Sequence, residues 1–288
     1  MKKGWIVVVV ALACGALVWG LLRWLAAPSA ALSAAPSAAG WPAPEAAISA
    51  PGVAIPAGFG THRIFVDPGH GAEGNTGNRS AFCRDEQDFT MGLATQLAIE
   101  LEATGHFEVK TSRSPDTLVP YRARVSTAEQ WGAEAFVSIH SDVRGKTEQW
   151  APDAGLACLR SRAAPGFSVL WSDQGAPDLL NRRLSLARSL AAQLERMGLT
   201  AYDGREYQGL YDGDGRQPGV FVDRHAPKER IFVLHKPTMP SVIVETHNAL
   251  DDREALRWEE PEVRRAFGAA VTTALVELLA RSSPADQG

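Results

Sequence analysis

From residue 61 onward the sequence predicts an α/β domain built on a largely parallel sheet. Three observations carry that expectation. Short apolar runs of strand length occur at Arg63–Asp67 (RIFVD), Ala135–Ile139 (AFVSI) and Ser241–Val244 (SVIV). Longer segments between them repeat apolar residues every three or four positions, which is the helical period. The two patterns alternate along the chain, and such alternation builds parallel strands with helices packed on their faces.

Taken in order, the chain starts with Met1-Lys2-Lys3 and an apolar run from Trp5 to Leu22. Eighteen helical residues at 1.5 Å each span about 27 Å, enough for a bilayer core. Lys2 and Lys3 precede this run, and no Lys or Arg lies between Arg23 and Arg63. That asymmetry predicts a transmembrane anchor over residues 1–25 with its N-terminus in the cytoplasm and the rest outside. The competing reading is a signal peptide cleaved at a small-residue site such as Ser33-Ala34-Ala35, which would release a secreted protein. Residues 26–60 are mainly Ala, Pro, Ser and Gly, too poor in apolar bulk to offset their ordering entropy, and are expected to form a linker.

The domain is expected over 61–282. Its first strand, Arg63–Asp67, stops at Pro68-Gly69. A helix follows from Glu86 to Gly105, with Phe89, Leu93, Leu97 and Leu101 one turn apart. Phe107–Thr111 is a strand, Tyr121–Trp131 a helix, and Ala135–Ile139 a buried strand. Phe167–Trp171 is a further strand, and Asp178–Met197 an amphipathic helix through Leu180, Leu184, Ala187, Leu190 and Leu194. Ile231–Leu234 reads as short and extended, and Ser241–Val244 as the last central strand. Pro261–Ala280 is the closing helix, with Pro in its first turn. Residues 283–288 are expected to be a disordered tail.

A net charge of −4 without a concentrated basic patch excludes a phosphate-tracking nucleic-acid binder. Cys14 lies in the apolar run, so Cys83 and Cys158 are the thiols available to the domain. Outside the cytoplasm they could form a disulfide; the alternative is two independent buried thiols.

Three apolar strands run into residues with acid/base or metal chemistry. RIFVD leads to His70, AFVSI to His140, and SVIV to Glu245, while Glu86 opens the first domain helix. Ligands bind beyond the carboxyl ends of strands in such sheets, so these points can converge. Singly, each histidine reads as an ordinary turn or strand-end residue, and Glu86 as a complement to the helix dipole. Glu245 is harder to explain away, because a carboxylate at a core boundary needs a partner. Two histidines with one carboxylate form a common catalytic zinc set, and a second carboxylate can then serve as acid/base. His70, Glu86, His140 and Glu245 fill those four roles.

These stretches resemble the zinc-dependent N-acetylmuramoyl-L-alanine amidases of bacterial cell walls. The matching segments are VDPGHG at Val66–Gly71, the Glu86 helix start, VPYRARVSTAEQWGAEAFVSIHSD at Val119–Asp142, and FVLHKPTMPSVIVET at Phe232–Thr246. The resemblance implies that His70, Glu86 and His140 bind Zn2+ and that Glu245 is the catalytic acid/base. It also implies a single α/β domain with a central mixed sheet flanked by helices. The implied reaction is hydrolysis of the amide between the muramic acid lactyl group and L-alanine of the peptidoglycan stem peptide. The expected setting is an inner-membrane anchor with the domain in the periplasm, and there is room for a protein activator.

The loop GNTGNRSAFCRD before Glu86, and His247 after Glu245, depart from the family pattern. His247 is expected either to donate a hydrogen bond to substrate or to lie on the surface. Val143–Gly166 and Asp203–Arg230 look like additions, the second forming either a rim or lid over the groove or a surface excursion. Asp67 and Asp142 could hold the second ring nitrogens of the histidines, or cap turns. Two rival functions stay open: a catalytically silent cell-wall binding or regulatory module on an amidase-like fold, and a hydrolase of another amide.

Overall fold

The computed structural model describes residues 47–280. The expected transmembrane segment, most of the linker and the C-terminal tail lie outside the described residues. Among those described, no helix is long and apolar enough to cross a membrane.

The main elements are β1 (His62–Pro68), α1 (Glu86–Ala103), β2 (Phe107–Thr111), α2 (Tyr121–Trp131), β3 (Ala135–Asp142), β4 (Glu148–Trp150), β5 (Cys158–Arg160), β6 (Ser168–Trp171) and α3 (Pro177–Arg196). They continue with β7 (Tyr211–Gly213), β8 (Val220–Asp223), α4 (Phe232–His235), β9 (Ser241–Asn248), α5 (Asp252–Arg257) and α6 (Pro261–Ala280). Seven strands form one sheet in the order β2-β1-β3-β9-β6-β8-β7. The pairs β1/β2, β1/β3, β3/β9 and β6/β8 are parallel, whereas β6/β9 and β7/β8 are antiparallel. The sheet is therefore mixed and mostly parallel.

Strand alternation sorts the side chains into two layers. Ile64, Val66, Val137, Ile139, Val242 and Val244 face α1, α3 and α6, where they meet Leu93, Leu97, Leu190, Phe267 and Val271. Phe65, Phe136, Leu170, Phe221 and Ile243 face the other way, toward Val125 and Ala128 of α2 and Val233 and Leu234 of α4. Both faces are covered, which is why the central strands are short and almost wholly apolar.

Several elements differ from the sequence expectation. Ile231–Leu234, expected to be extended, is largely wound into a helical turn, with His235 N donating to Ile231 O and Lys236 N to Phe232 O. A four-residue apolar run carries no period that separates the two states. Asp203–Arg230, expected as a rim or lid or as a surface excursion, supplies β7 and β8 and extends the sheet at its edge. Val143–Gly166 forms the β4/β5 hairpin. The described part of the expected linker lies against the domain: Ser49 N donates to Met197 O at 3.1 Å, and Phe59 is buried in the core.

His247 does not lie on the surface, and it lines a small cavity with Glu86 and Ser141. It is 3% exposed and packed between Phe89 and Trp258, with ring centroids at 5.1 and 5.9 Å. Burial, helped by the Arg144 charge, pushes its pKa down to about 3. Between pH 3 and the ordinary value of 6.5 the unfolded chain binds the extra proton and the folded one does not. Stability is therefore lost as pH falls through this window, with a ceiling of about 5 kcal/mol. Urea unfolding of His247→Phe between pH 7 and 4 should show a flatter acid-side decline than the parent protein; equal slopes would remove His247 as the cause.

The Cys83–Cys158 disulfide is formed, with the Cα atoms 5.5 Å apart across a sequence separation of 75. It joins the loop before α1 to the β4/β5 hairpin. Closing a loop of that length constrains the unfolded chain by about 4 kcal/mol. Reduction should lower the unfolding midpoint by a corresponding amount, and an unchanged midpoint would contradict the bond.

Candidate metal centre and active site

β1 delivers the chain to a turn, Gly69-His70-Gly71, at the carboxyl ends of the central strands. His70 adopts φ 60°, in the left-handed region a β-carbon disfavours. Two buried arginines hold this conformation by capturing its carbonyls. Arg124 donates from Nη1 to Pro68 O at 2.9 Å, from Nη2 to His70 O, and from Nε to Val119 O at 2.9 Å. Arg113 donates from Nε to Pro68 O and from Nη2 to Gly69 O, both at 3.1 Å. Asp67 balances Arg124 at 3.0 Å in a pair with almost no solvent exposure.

The ring of His70 is oriented by Asn75, whose Oδ1 lies 2.7 Å from Nδ1. Asn75 is fixed in turn by donating from Nδ2 to the Tyr121 hydroxyl at 2.9 Å. This leaves Nε2 of His70 2.9 Å from Glu86 Oε2. Glu86 is the first residue of α1 and turns inward, so that it is 3% exposed. Its Oε2 accepts from the Asn78 backbone at 3.1 Å and side chain at 2.7 Å, and its Oε1 from Ser141 N at 2.9 Å. His140, near the end of β3, brings Nδ1 to 3.0 Å from Oε1.

Close approach makes glycine necessary at two points. A β-carbon on Gly69 would lie 2.4 Å from His140 Cε1, and one on Gly77 would lie 2.6 Å from Glu86 Oε2. The backbone is the wall of the pocket at both positions.

His70, Glu86 and His140 each offer one ligand atom, and these atoms all lie within 4.8 Å of one another. Two imidazoles and one carboxylate, fixed by outer hydrogen bonds, fit a divalent metal ion. Their mutual electrostatics agree. Burial opposes ionisation of Glu86, but hydrogen bonds from His140 and His70 outweigh it and hold the carboxyl far below the usual range. Burial also lowers the pKa of His70, yet the Glu86 bond and charge, with Asn75, raise it overall.

Glu245 lies in β9, in register with His140 on β3 and Ser168 on β6. Its Oε2 is buried and has no hydrogen-bond partner. Burial, with the negative charges of Asp142 and Glu86, pushes its carboxyl well above the usual range. A carboxylate that is unengaged and inclined to hold a proton suits proton transfer. The structure thus assembles the three expected ligands and places Glu245 on the strand beside His140.

Asp67 and Asp142 do not hold the histidine rings. Asp67 accepts from Arg124, from Ser112 Oγ at 2.5 Å and from Ser138 Oγ at 2.7 Å. Asp142 accepts from the Tyr207 hydroxyl at 2.5 Å. Sequence reasoning missed Asn75, Asn78, Arg113, Arg124 and Tyr207. For Arg124 a signal existed, because it adjoins Val125 on the inward stripe of α2, where a charge needs a partner. Asn75 and Asn78 read as ordinary turn formers. Arg124→Met should destabilise the protein by about 3–5 kcal/mol because Asp67 is left buried and unpaired. Adding Asp67→Asn should recover part of that loss in urea unfolding, and full additivity would deny the pair.

The sequence pattern of the N-acetylmuramoyl-L-alanine amidase family Amidase_3 matches residues 64–277. The sporulation-specific N-acetylmuramoyl-L-alanine amidase of Bacillus subtilis is 37% identical over 189 residues, covering 64% of this chain and 54% of that protein. N-acetylmuramoyl-L-alanine amidase AmiC of Escherichia coli is 28% identical over 189 residues, covering 64% of this chain and 44% of that protein. The chain thus spans about half the length of these curated relatives. Among solved structures, the amidase Ami1 of Mycobacterium smegmatis shares the fold with a TM-score of 0.59 at 23% identity, covering 77% of this chain and 99% of that one. With the family pattern spanning the sheet, its helices and the candidate metal centre, the chain belongs to the Amidase_3 family of N-acetylmuramoyl-L-alanine amidases.

Proposed function

We propose that this protein is a zinc hydrolase that cleaves the amide between the muramic acid lactyl group and L-alanine of the peptidoglycan stem peptide. One observation carries the reading: a compact His70–Glu86–His140 ligand set stands beside a half-buried Glu245 whose buried Oε2 has no hydrogen-bond partner, within the family's own span. Bound zinc would supply Lewis acidity, polarising the amide carbonyl and lowering the pKa of water to about 7.

The chain's own residues supply the rest. Glu86 stays ionised because two imidazoles neutralise it, so it is a ligand and not a proton carrier. Glu245 takes the proton of the attacking water and gives it to the leaving nitrogen; its raised proton affinity suits the second half of that transfer. A groove of 520 Å³ between the 78–83 loop and the β4/β5 hairpin is lined by Asn78, Val143, Leu159 and the disulfide, shares Asn78 with the centre, and offers space for an extended substrate.

The sequence asymmetry around residues 5–22 supports an extracytoplasmic setting, where peptidoglycan lies and where the Cys83–Cys158 bond persists.

The test is hydrolysis of purified peptidoglycan by the full chain in detergent. Wild-type protein should release stem peptides bearing free N-terminal alanine and leave bare glycan. Chelation should abolish release and zinc should restore it. Glu245→Gln should lower kcat by at least about 100-fold while retaining one metal per chain. Bound zinc without release in any preparation would favour the silent wall-binding module instead. Release of other products would transfer the reading to a different amide.

A further inference from the structure

Three carboxylates gather where β3, β9 and the start of α1 meet, and each has a different fate. Glu86 is saturated by His70, His140, Asn78 and Ser141. Glu245 leaves Oε2 without a partner. Asp142 shares a strand face with His140, two residues away, and is engaged by one hydroxyl from outside the central strands.

That hydroxyl belongs to Tyr207, in the 203–230 segment. It donates to Asp142 Oδ2 at 2.5 Å and lies 2.9 Å from Ser168 Oγ. Ser168 and His140 are the residues in register with Glu245 on its two neighbouring strands. Tyr207 therefore bridges over β9 at the level of Glu245, from β6 on one side to β3 on the other. Its ring is 7% exposed and wedged among Tyr202, Tyr211 and Phe221 at centroid distances of 4.9, 4.6 and 5.0 Å. The packing fixes the ring, so the hydroxyl has little freedom to leave. Arg144 adds a weaker hold, with Nε 3.4 Å from Asp142.

We propose that Tyr207 is a positioning residue: its hydroxyl tethers Asp142 off the metal centre and away from Glu245, leaving Glu245 as the unengaged carboxylate. This rests on the zinc-hydrolase reading above. Without the tether, Val143 N still holds Oδ1 of Asp142 at 2.8 Å, but Oδ2 keeps only the 3.4 Å Arg144 contact and becomes a hard oxygen donor able to turn toward the cation.

Tyr207→Phe removes the hydroxyl and keeps the ring, so the packing survives. It should lower kcat on the order of tenfold with KM unchanged, while the lost hydroxyl contacts lower the unfolding midpoint only modestly and leave the protein folded at the assay temperature. In the cobalt(II)-loaded protein without substrate, the same variant should show an altered visible absorption spectrum as an additional carboxylate oxygen enters. Asp142→Asn in the Tyr207→Phe background should restore both kcat and the spectrum. Wild-type kcat and spectrum in Tyr207→Phe, or losses that Asp142→Asn leaves unreversed, would overturn the tether. Should wild-type protein release no stem peptide, the amidase reading fails, and the cobalt spectra of the same variants still decide the role of Tyr207.

Discussion

The candidate metal centre depends on a buried cation. Arg124 has no exposed side-chain surface and meets Asp67, the carbonyls of Pro68 and His70, and that of Val119. These acceptors belong to the end of β1, the His70 turn and the approach to α2. A turn that leaves a sheet carries carbonyls the ladder no longer satisfies, and burying them unpaired is costly. A guanidinium has donors in a fixed fork, so one side chain can satisfy several of them and set the turn's shape. Asp67 makes that burial tolerable by neutralising the charge. The positive φ of His70 is held by the same contacts, and local strain at a metal ligand is sustained when its surroundings over-determine it.

The site then differentiates chemically similar groups by their neighbours. Glu86 and Glu245 are the same residue type, yet their proton affinities move in opposite directions. Both are buried, which favours the neutral form. Hydrogen bonds and charge from His140 and His70 reverse that tendency at Glu86, whereas Glu245 faces the negative charges of Asp142 and Glu86, only partly offset by Arg144, and its Oε2 has no donor. Ligand and acid/base roles follow from that asymmetry rather than from residue identity.

Val143–Gly166 and Asp203–Arg230 both reach toward this centre without belonging to its ligand set. Val143–Gly166 forms a hairpin bonded through Cys158 to Cys83, three residues before Glu86, and so braces the loop that carries Asn78. Asp203–Arg230 continues the sheet past β6 and sends Tyr207 back over β9. A rigid sheet allows such variation because its central strands are already specified by packing on both faces.

The sequence alone determined the strand–helix order of the domain and the residues that meet at its centre. Short apolar runs and helical periods are local signals, and a strand's polar end is visible in one dimension. His70, Glu86, His140 and Glu245 were legible because each sits just past an apolar run or at a helix start that the pattern already gives. Only the tertiary structure decided which way the secondary groups point. His247 faces Phe89 and Trp258 because β9 continues past Glu245 under α5, an element the sequence pattern did not show. Asp67 and Asp142 look alike beside their histidines, yet one turns to Arg124 and the other to Tyr207. Those partners lie 57 and 65 positions away in the chain. Hydrogen-bond pairing over such distances is set by strand register and helix placement, which no local pattern encodes.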